Sequence, residues 1–249
     1  MSIIQEGRTY LPSAPKSKQL LALFLLNVNV LVTIDACVEE LWGSAPPKSA
    51  LATLQTYVLQ IRRVMRTMPF DNAGHDEPLQ TRNQGYLFTA EPSDVDHLVF
   101  EHRVTRGRQA VRRGADAQAS ADFAEALDLW RDEVVSDVQI GPLLSVHRIT
   151  LAETRLSVLE LRIEADLRLG RHHLLLDELS MLSSENPRHE NINAQYMIAL
   201  FRSGYRTRAL EVYDRLRRRL EVELGMEPSP QLQALYVSIN DFPAWASGQ

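Results

Sequence analysis

The chain has 249 residues, 45% hydrophobic and 24% charged, enough for two ordinary domains with real cores and ordinary for a soluble globular protein. Its one cysteine, Cys37, excludes an internal disulfide and a cysteine-based zinc cluster. The net charge of −5 argues against a protein that coats nucleic acid along its whole surface.

The start, MSIIQEGRTYLPSAPKSKQ, lacks a basic region followed by an apolar core, so no secretory signal is expected. The longest apolar run, Leu20 to Leu26, is too short to span a bilayer. A reducing cytoplasm fits these features.

In chain order, the first element is a helix through about Asn27. Ser17 is its expected cap, and Leu20, Leu21, Phe24 and Leu25 follow at helical spacing. Thr33 is expected to cap a second, short helix from Ile34 to Trp42, ended by Gly43. The stretch 44–49 carries Pro46 and Pro47 and must be a loop. A third helix is expected from about Ala50 to Thr67, with an inward stripe of Leu51, Leu54, Val58, Ile61 and Met65. A polar loop, PFDNAGHDEP, follows; its acids lack calcium-loop spacing. LQTRNQGYLFTA then reads as two short strands about a tight turn near Asn83–Gly85. Helix, turn, helix, hairpin is the winged-helix order.

Charge is uneven along the chain. Residues 1–90 carry 8 basic and 7 acidic groups; residues 91–249 carry 19 and 25. Within 43–70 stand Lys48, Arg62, Arg63 and Arg66 and no acid, the local footprint that DNA binding requires.

A boundary is expected at Glu91–Asp94, giving a division into 1–91 and 92–249. Beyond it every element reads as a helix: Val95–Arg113, Ser120–Arg131, Leu143–Leu169, His172–Ser184, Glu190–Ser203, Thr207–Leu224 and Pro230–Ile239. Gly170 and Gly204, each between two helices, lie 34 residues apart, the period of tetratricopeptide-like paired helices. The expected fold is therefore mainly α: three helices and a β-hairpin wing, then an all-α repeat-like domain.

If the stripe of the third helix faces inward, Thr53, Gln55, Thr56, Tyr57, Gln60 and Arg63 face outward or flank it. These are residue types that reach base edges and phosphates in a major groove. Arg62 and Arg66, near the helix end, suit phosphates. Lys48 and Ser49 precede the helix N-terminus, where free N–H groups attract phosphate. GSAPPKS is not a nucleotide-binding loop, because its second glycine is missing and its prolines have no N–H to offer.

Other features are expected to be structural. Cys37 is read as a small core hydrophobe, His172-His173 as a surface pair and Glu153, Glu160 and Glu164 as a solvated helix face. Trp130, Tyr196, Tyr205 and Tyr213 are read as core. Arg215, Arg217, Arg218 and Arg219, flanked by acids, are read as an ion-paired surface. No catalytic or metal-binding constellation is present, so neither an enzyme nor a cofactor is expected. Two functions stay open on these grounds: a DNA-binding transcription activator, and a helical-repeat adaptor that binds only protein.

VEELWGSAPPKSALATLQTYVLQIRRVM, followed by TRNQGYLF, closely resembles the DNA-binding domain of the Streptomyces antibiotic regulatory proteins, a winged helix of the OmpR type. In the acidic half, ALDLWRDEVVSDVQIGP, RIEADLRLGRHHLLLDEL and ENPRHENINAQYMIALFRSGYRTRALEVYDRLRRRLEVELGMEPSPQLQAL resemble the bacterial transcriptional activator domain of the same family. The resemblance covers about residues 11–240. It implies an activator that binds direct repeats of double-stranded promoter DNA as a homodimer and recruits the RNA polymerase holoenzyme, its sigma factor and core subunits. It places Thr56 and Gln60 at base-reading positions, Tyr57 and Arg62 on the phosphate side, and Arg82 as the wing arginine of the minor groove. Ala45, Pro46, Pro47 and Lys48 form the loop that faces polymerase. Family members usually carry several strands before the first helix; only about sixteen residues precede it here, so a shortened N-terminal sheet is expected.

Overall fold

The computed structural model describes residues 3–5, 8–67, 77–130 and 138–242. The expected loop after the third helix lies, over 68–76, outside the described residues. The chain divides into two compact units, one of residues 1–102 with 126–156, the other of 103–125 with 157–249.

The first unit opens with an antiparallel pair, β1 (Ile3–Gln5) and β2 (Arg8–Tyr10), the short N-terminal sheet. Helix α1 (Pro15–Leu26) follows. Ser17 does not cap it. Pro15 occupies the first turn, its fixed φ already helical and its missing N–H needing no partner, so the helix starts two residues before Ser17. Ser17 is instead buried and donates its hydroxyl to Gln60 Oε1 at 2.6 Å. Leu20 to Phe24 are all buried, so α1 is the central core helix.

Helix α2 (Ile34–Trp42) has the expected bounds. Thr33 Oγ1 accepts from the Ala36 N–H at 3.1 Å, and Gly43 ends the helix with φ 59°. Helix α3 (Ala50–Arg66) buries Ala50, Leu54, Val58, Ile61 and Met65. Leu51 does not belong to that stripe: it is 59% exposed. Ala50, four residues before Leu54, takes the inward place in the first turn, and the next residue is rotated off the core.

The wing is β4 (Leu79–Arg82) and β5 (Gly85–Phe88). A third strand, β3 (Leu31–Thr33), pairs antiparallel with β5, giving the order β3-β5-β4. A Cβ at Gly85 would lie 2.1 Å from the Val32 carbonyl oxygen, so this crossing admits only glycine. Asn29 turns the chain into β3 at φ 62° and is tied to the end of β5: its N–H donates to Phe88 O at 2.8 Å and its amide to Ala90 O at 2.9 Å.

The same core takes in residues far along the chain. Val95, Val138 and Leu144 are buried with α1, α2 and α3. Leu144 lies in the first turn of α6 (Pro142–Arg168). Glu40 of α2, 1% exposed, accepts there from the N–H groups of Gly141 at 2.7 Å, Leu143 at 2.9 Å and Leu144 at 3.0 Å. Gln19 of α1 donates to Glu40 Oε1 at 2.8 Å and to its carbonyl at 2.7 Å. One carboxylate thus satisfies N–H groups that a helix start leaves without internal partners.

The second unit is helical among its described residues. It holds parts of α4 (Asp96–Arg112) and α6, α5 (Asp116–Leu127), α7 (Leu176–Glu185), α8 (Glu190–Arg202), α9 (Arg206–Leu224) and α10 (Pro230–Asn240). Helix α5 starts four residues before the expected Ser120, and the helix expected from His172 begins as a 3-10 turn, His172–Leu175. Gly170 (φ 75°) and Gly204 (φ 85°) both adopt left-handed conformations just past a helix end, so the 34-residue spacing marks equivalent points of a repeat. Ile163, Leu179, Met197, Leu200, Val212, Leu216 and Leu232 form the core. Tyr196 and Tyr213 join it, but Tyr205 is 48% exposed beneath the Arg208 guanidinium, a correction to its reading as core.

Candidate nucleic-acid interface

The outward side of α3 and the wing beside it carry the expected residues. Thr53 donates its hydroxyl to Ser49 O and Thr56 to Ala52 O, both at 3.0 Å. With those protons committed to the helix, the two oxygens offer lone pairs outward as acceptors. Gln60 is complementary. Its Oε1 accepts from Ser17, which orients the amide and leaves its N–H groups to donate. Arg63 is exposed and has no ion-pair partner among the described residues.

Arg62 is differently placed. It is half-buried, with Nε donating to Leu79 O at 3.0 Å and its guanidinium to Thr81 Oγ1 at 2.8 Å; Glu77 lies 3.5 Å away. The structure therefore spends this side chain largely on joining α3 to β4. Arg66 is exposed and pairs with Glu77 at 2.6 Å. Tyr57 is half-buried and stacks on Trp42, with ring centroids 6.5 Å apart.

Arg82, the last residue of β4, stands exposed beside the turn Asn83-Gln84 and donates to Gln80 Oε1 at 2.6 Å. Ala45, Pro46, Pro47, Lys48 and Ser49 are all exposed in the approach to α3. The Pro47 carbonyl accepts from the Ala50 N–H at 2.9 Å, which closes the loop onto the helix start.

Sequence reasoning passed over Leu59. It is 61% exposed and, seven residues from Ala52 and three from Thr56, shares their outward face. Its signal was legible: a leucine outside an otherwise complete inward stripe. Cys37 is buried, and burial pushes its thiol up to about 12, the condition of an inert core residue. Among the described residues no helix is long and apolar enough to cross a membrane, and no group of acids, histidines and cysteine is arranged to hold a metal.

A three-helix unit with a paired wing, continuing into a helical-repeat region, is the architecture of a transcription regulator. Residues 95–240 match the bacterial transcriptional activator domain. Regulatory protein DnrI of Streptomyces peucetius is 45% identical over 237 residues, covering 94% of this chain and 86% of its own. Regulatory protein AfsR of Streptomyces coelicolor is 33% identical over 234 residues, which are 93% of this chain but only 22% of AfsR. The solved structure of Mycobacterium tuberculosis EmbR in complex with a low-affinity phosphopeptide superposes with a TM-score of 0.89 at 28% identity, over 96% of this chain and 62% of that one. The chain belongs to the Streptomyces antibiotic regulatory protein family of transcriptional activators.

Proposed function

We propose that this protein activates secondary-metabolite biosynthesis genes by binding direct repeats in the double-stranded DNA upstream of them and recruiting RNA polymerase. The observation that carries the reading is the outward face of α3, where acceptors at Thr53 and Thr56, a donor at Gln60 and a cation at Arg63 stand beside an exposed wing arginine, Arg82. Helix α3 enters the major groove with Thr53, Thr56 and Gln60 toward base edges. Lys48, Ser49, Arg63 and Arg66 hold phosphates, and Arg82 reaches the minor groove. Tyr57 and Arg62 act chiefly by fixing α3 against Trp42 and β4, with their outer edges toward the backbone. Ala45–Lys48 meets polymerase. DNA reading and the polymerase-facing loop reside in residues 1–91, and residues 92–249 form the activator domain.

A gel shift with DNA from upstream of the host gene cluster, at two salt concentrations, tests this. With Lys48, Arg63, Arg66 and Arg82 on phosphates or in a groove, affinity should fall about 100-fold between about 50 and 200 mM salt. Absence of binding at the lower salt, or binding indifferent to salt, would remove DNA from the account.

A further inference from the structure

In the second unit, α7, α8 and α9 enclose a cleft of about 260 Å³. One wall is the face of α9 that carries Arg208, Arg215 and Arg219, spaced seven and four residues apart and so on one side of the helix. Ser180, Ser183 and Ser184 of α7 form the opposite wall. The floor is buried and mixed: Asn193 is 3% exposed and Tyr196 4%, beside the apolar Leu200, Val212 and Leu216. Both polar floor groups are held in place, Asn193 by the Ser183 hydroxyl at 2.7 Å and the His189 carbonyl at 2.9 Å, Tyr196 by Arg208 at 3.3 Å.

The three arginines differ from those of this unit that are neutralised, while Arg202, Arg206 and Arg218 bond backbone carbonyls. Arg162, Arg168, Arg171, Arg188 and Arg217 each pair with a carboxylate. Arg208, Arg215 and Arg219 have no ion-pair partner among the described residues, although residues 91–249 carry 25 acidic groups against 19 basic. This corrects the expectation of an ion-paired surface over 215–219, where among the described residues only Arg217 pairs. Glu211 is the one acid on the cleft wall. Three guanidinium groups without ion-pair partners that line one cleft with the Ser180 hydroxyl, in an acidic half of the chain, form a receptor for concentrated negative charge.

We propose that this cleft binds a small phosphate monoester, with the phosphate between Arg208, Arg215 and Arg219 and the Ser180 hydroxyl, and with Glu211 accepting from a hydroxyl or amine of the organic part. The Ser180 proton is uncommitted among the described residues, whereas those of Ser183 and Ser184 go to Asn193 and the Ser180 carbonyl. The volume suits a ligand of a dozen or so heavy atoms better than a folded partner. The site is distinct from the α3 interface, and the proposal stands whether or not that interface binds DNA.

The test is calorimetric titration of the full-length protein with inorganic phosphate, glucose 6-phosphate and glucose at constant ionic strength. Phosphate and glucose 6-phosphate should bind with Kd below about 1 mM, the phosphate ester more tightly, and glucose not at all. Replacing Arg215 and Arg219 by Gln should weaken binding at least tenfold. Replacing Arg217, which is committed to Glu221, should leave binding unchanged. Thermal melts of all variants would establish that each is folded. Equal weakening by Arg217→Gln, or no binding of either phosphate at about 10 mM, would overturn the proposal. So would an acidic octapeptide that binds where both phosphates do not, since it would assign the cleft to a protein partner.

Discussion

The carboxylate of Glu40, near the end of α2, accepts the N–H of Leu144 at 3.0 Å in the first turn of α6, 104 residues further along the chain. The same carboxylate takes the N–H groups of Gly141 and Leu143, and a Cβ on Gly141 would lie 2.0 Å from the Glu40 carbonyl oxygen. Carboxylate and helix start are also electrically matched, because the N-terminal end of a helix carries partial positive charge. The first prediction concerns this pair. Glu40→Gln replaces one acceptor oxygen by a donor facing N–H groups, and should cost about 2–3 kcal/mol in denaturant melts. Gly141→Ala should cost a comparable amount through collision. A melt unchanged in both variants would mean that the contact contributes nothing.

The two wing-associated arginines should behave in opposite ways. Arg62 is bound to Leu79 O and Thr81 Oγ1, so Arg62→Ala should lower stability by about 1–2 kcal/mol and loosen the wing. Among the described residues Arg82 hydrogen-bonds through its side chain to Gln80 alone, so Arg82→Ala should leave the melt unchanged and weaken DNA binding by about 1–3 kcal/mol. Circular dichroism melts and gel shifts on the same preparations separate the two. An Arg82 variant with unaltered affinity at moderate salt would take the wing out of the interface.

Leu59 invites a test at the level of single atoms. If α3 enters the major groove as proposed, an exposed leucine on its outward face suits the methyl group of thymine. Exchanging one thymine of the half-site for uracil removes only that methyl and should weaken binding by about 0.8 kcal/mol, roughly fourfold. In Leu59→Ala the same exchange should have no effect, as in any double-mutant cycle where the contact is already gone. A thymine preference that persists in Leu59→Ala at every position would assign the methyl to another residue.

Which features the sequence disclosed follows from how local their causes are. Helix α2 is bounded by Thr33 and Gly43, whose effects act within four residues, and its limits were readable to the residue. The inward stripe of α3 was readable except at Leu51, because the helical period fixes the face but not where the core ends at the first turn. Strand β3 is three residues long, too short for any alternation to show, and exists because β5 is there to pair with it. Ser17 and Glu40 were hidden for the same reason. Each resembles a common surface or cap residue until its partner, Gln60 or the start of α6, is brought up by the tertiary fold.

Acid should weaken the first unit through His97. Burial pushes its imidazole below the ordinary value of 6.5, Glu101 opposes the shift, His147 adds to it and Asp96 again opposes it. The folded value therefore lies under the unfolded one, and the unfolded chain binds more protons between the two. Stability from this group is complete above about 6.5 and is lost as pH falls through that window. Melting temperature measured from neutral to acid pH should fall more steeply for the natural protein than for His97→Gln. Parallel slopes would exclude His97 as a source of acid sensitivity.

Folding of the proposed DNA-reading part draws on residues beyond it. A direct repeat calls for two protomers in the same orientation, and a fragment ending near Thr89 keeps α3 and Arg82. Read as sequence, that fragment should recognise a half-site, bind the full site with less cooperativity and activate transcription poorly. The core argues for a further loss. Val95, Val138 and Leu144 are buried against α1, α2 and α3, and each contributes about 1.5–3 kcal/mol by its burial. Removing all three takes away about 4.5–9 kcal/mol, comparable with an entire domain's stability. The fragment should therefore melt well below the full chain and bind its half-site only at low temperature. Glu40→Gln distinguishes this cause from general truncation. In the full chain it should be destabilising; in the fragment, where Gly141, Leu143 and Leu144 are gone, it should be nearly neutral. Equal costs in both backgrounds would show that Glu40 acts within α1 and α2 alone, through Gln19, and that the start of α6 is not what it holds.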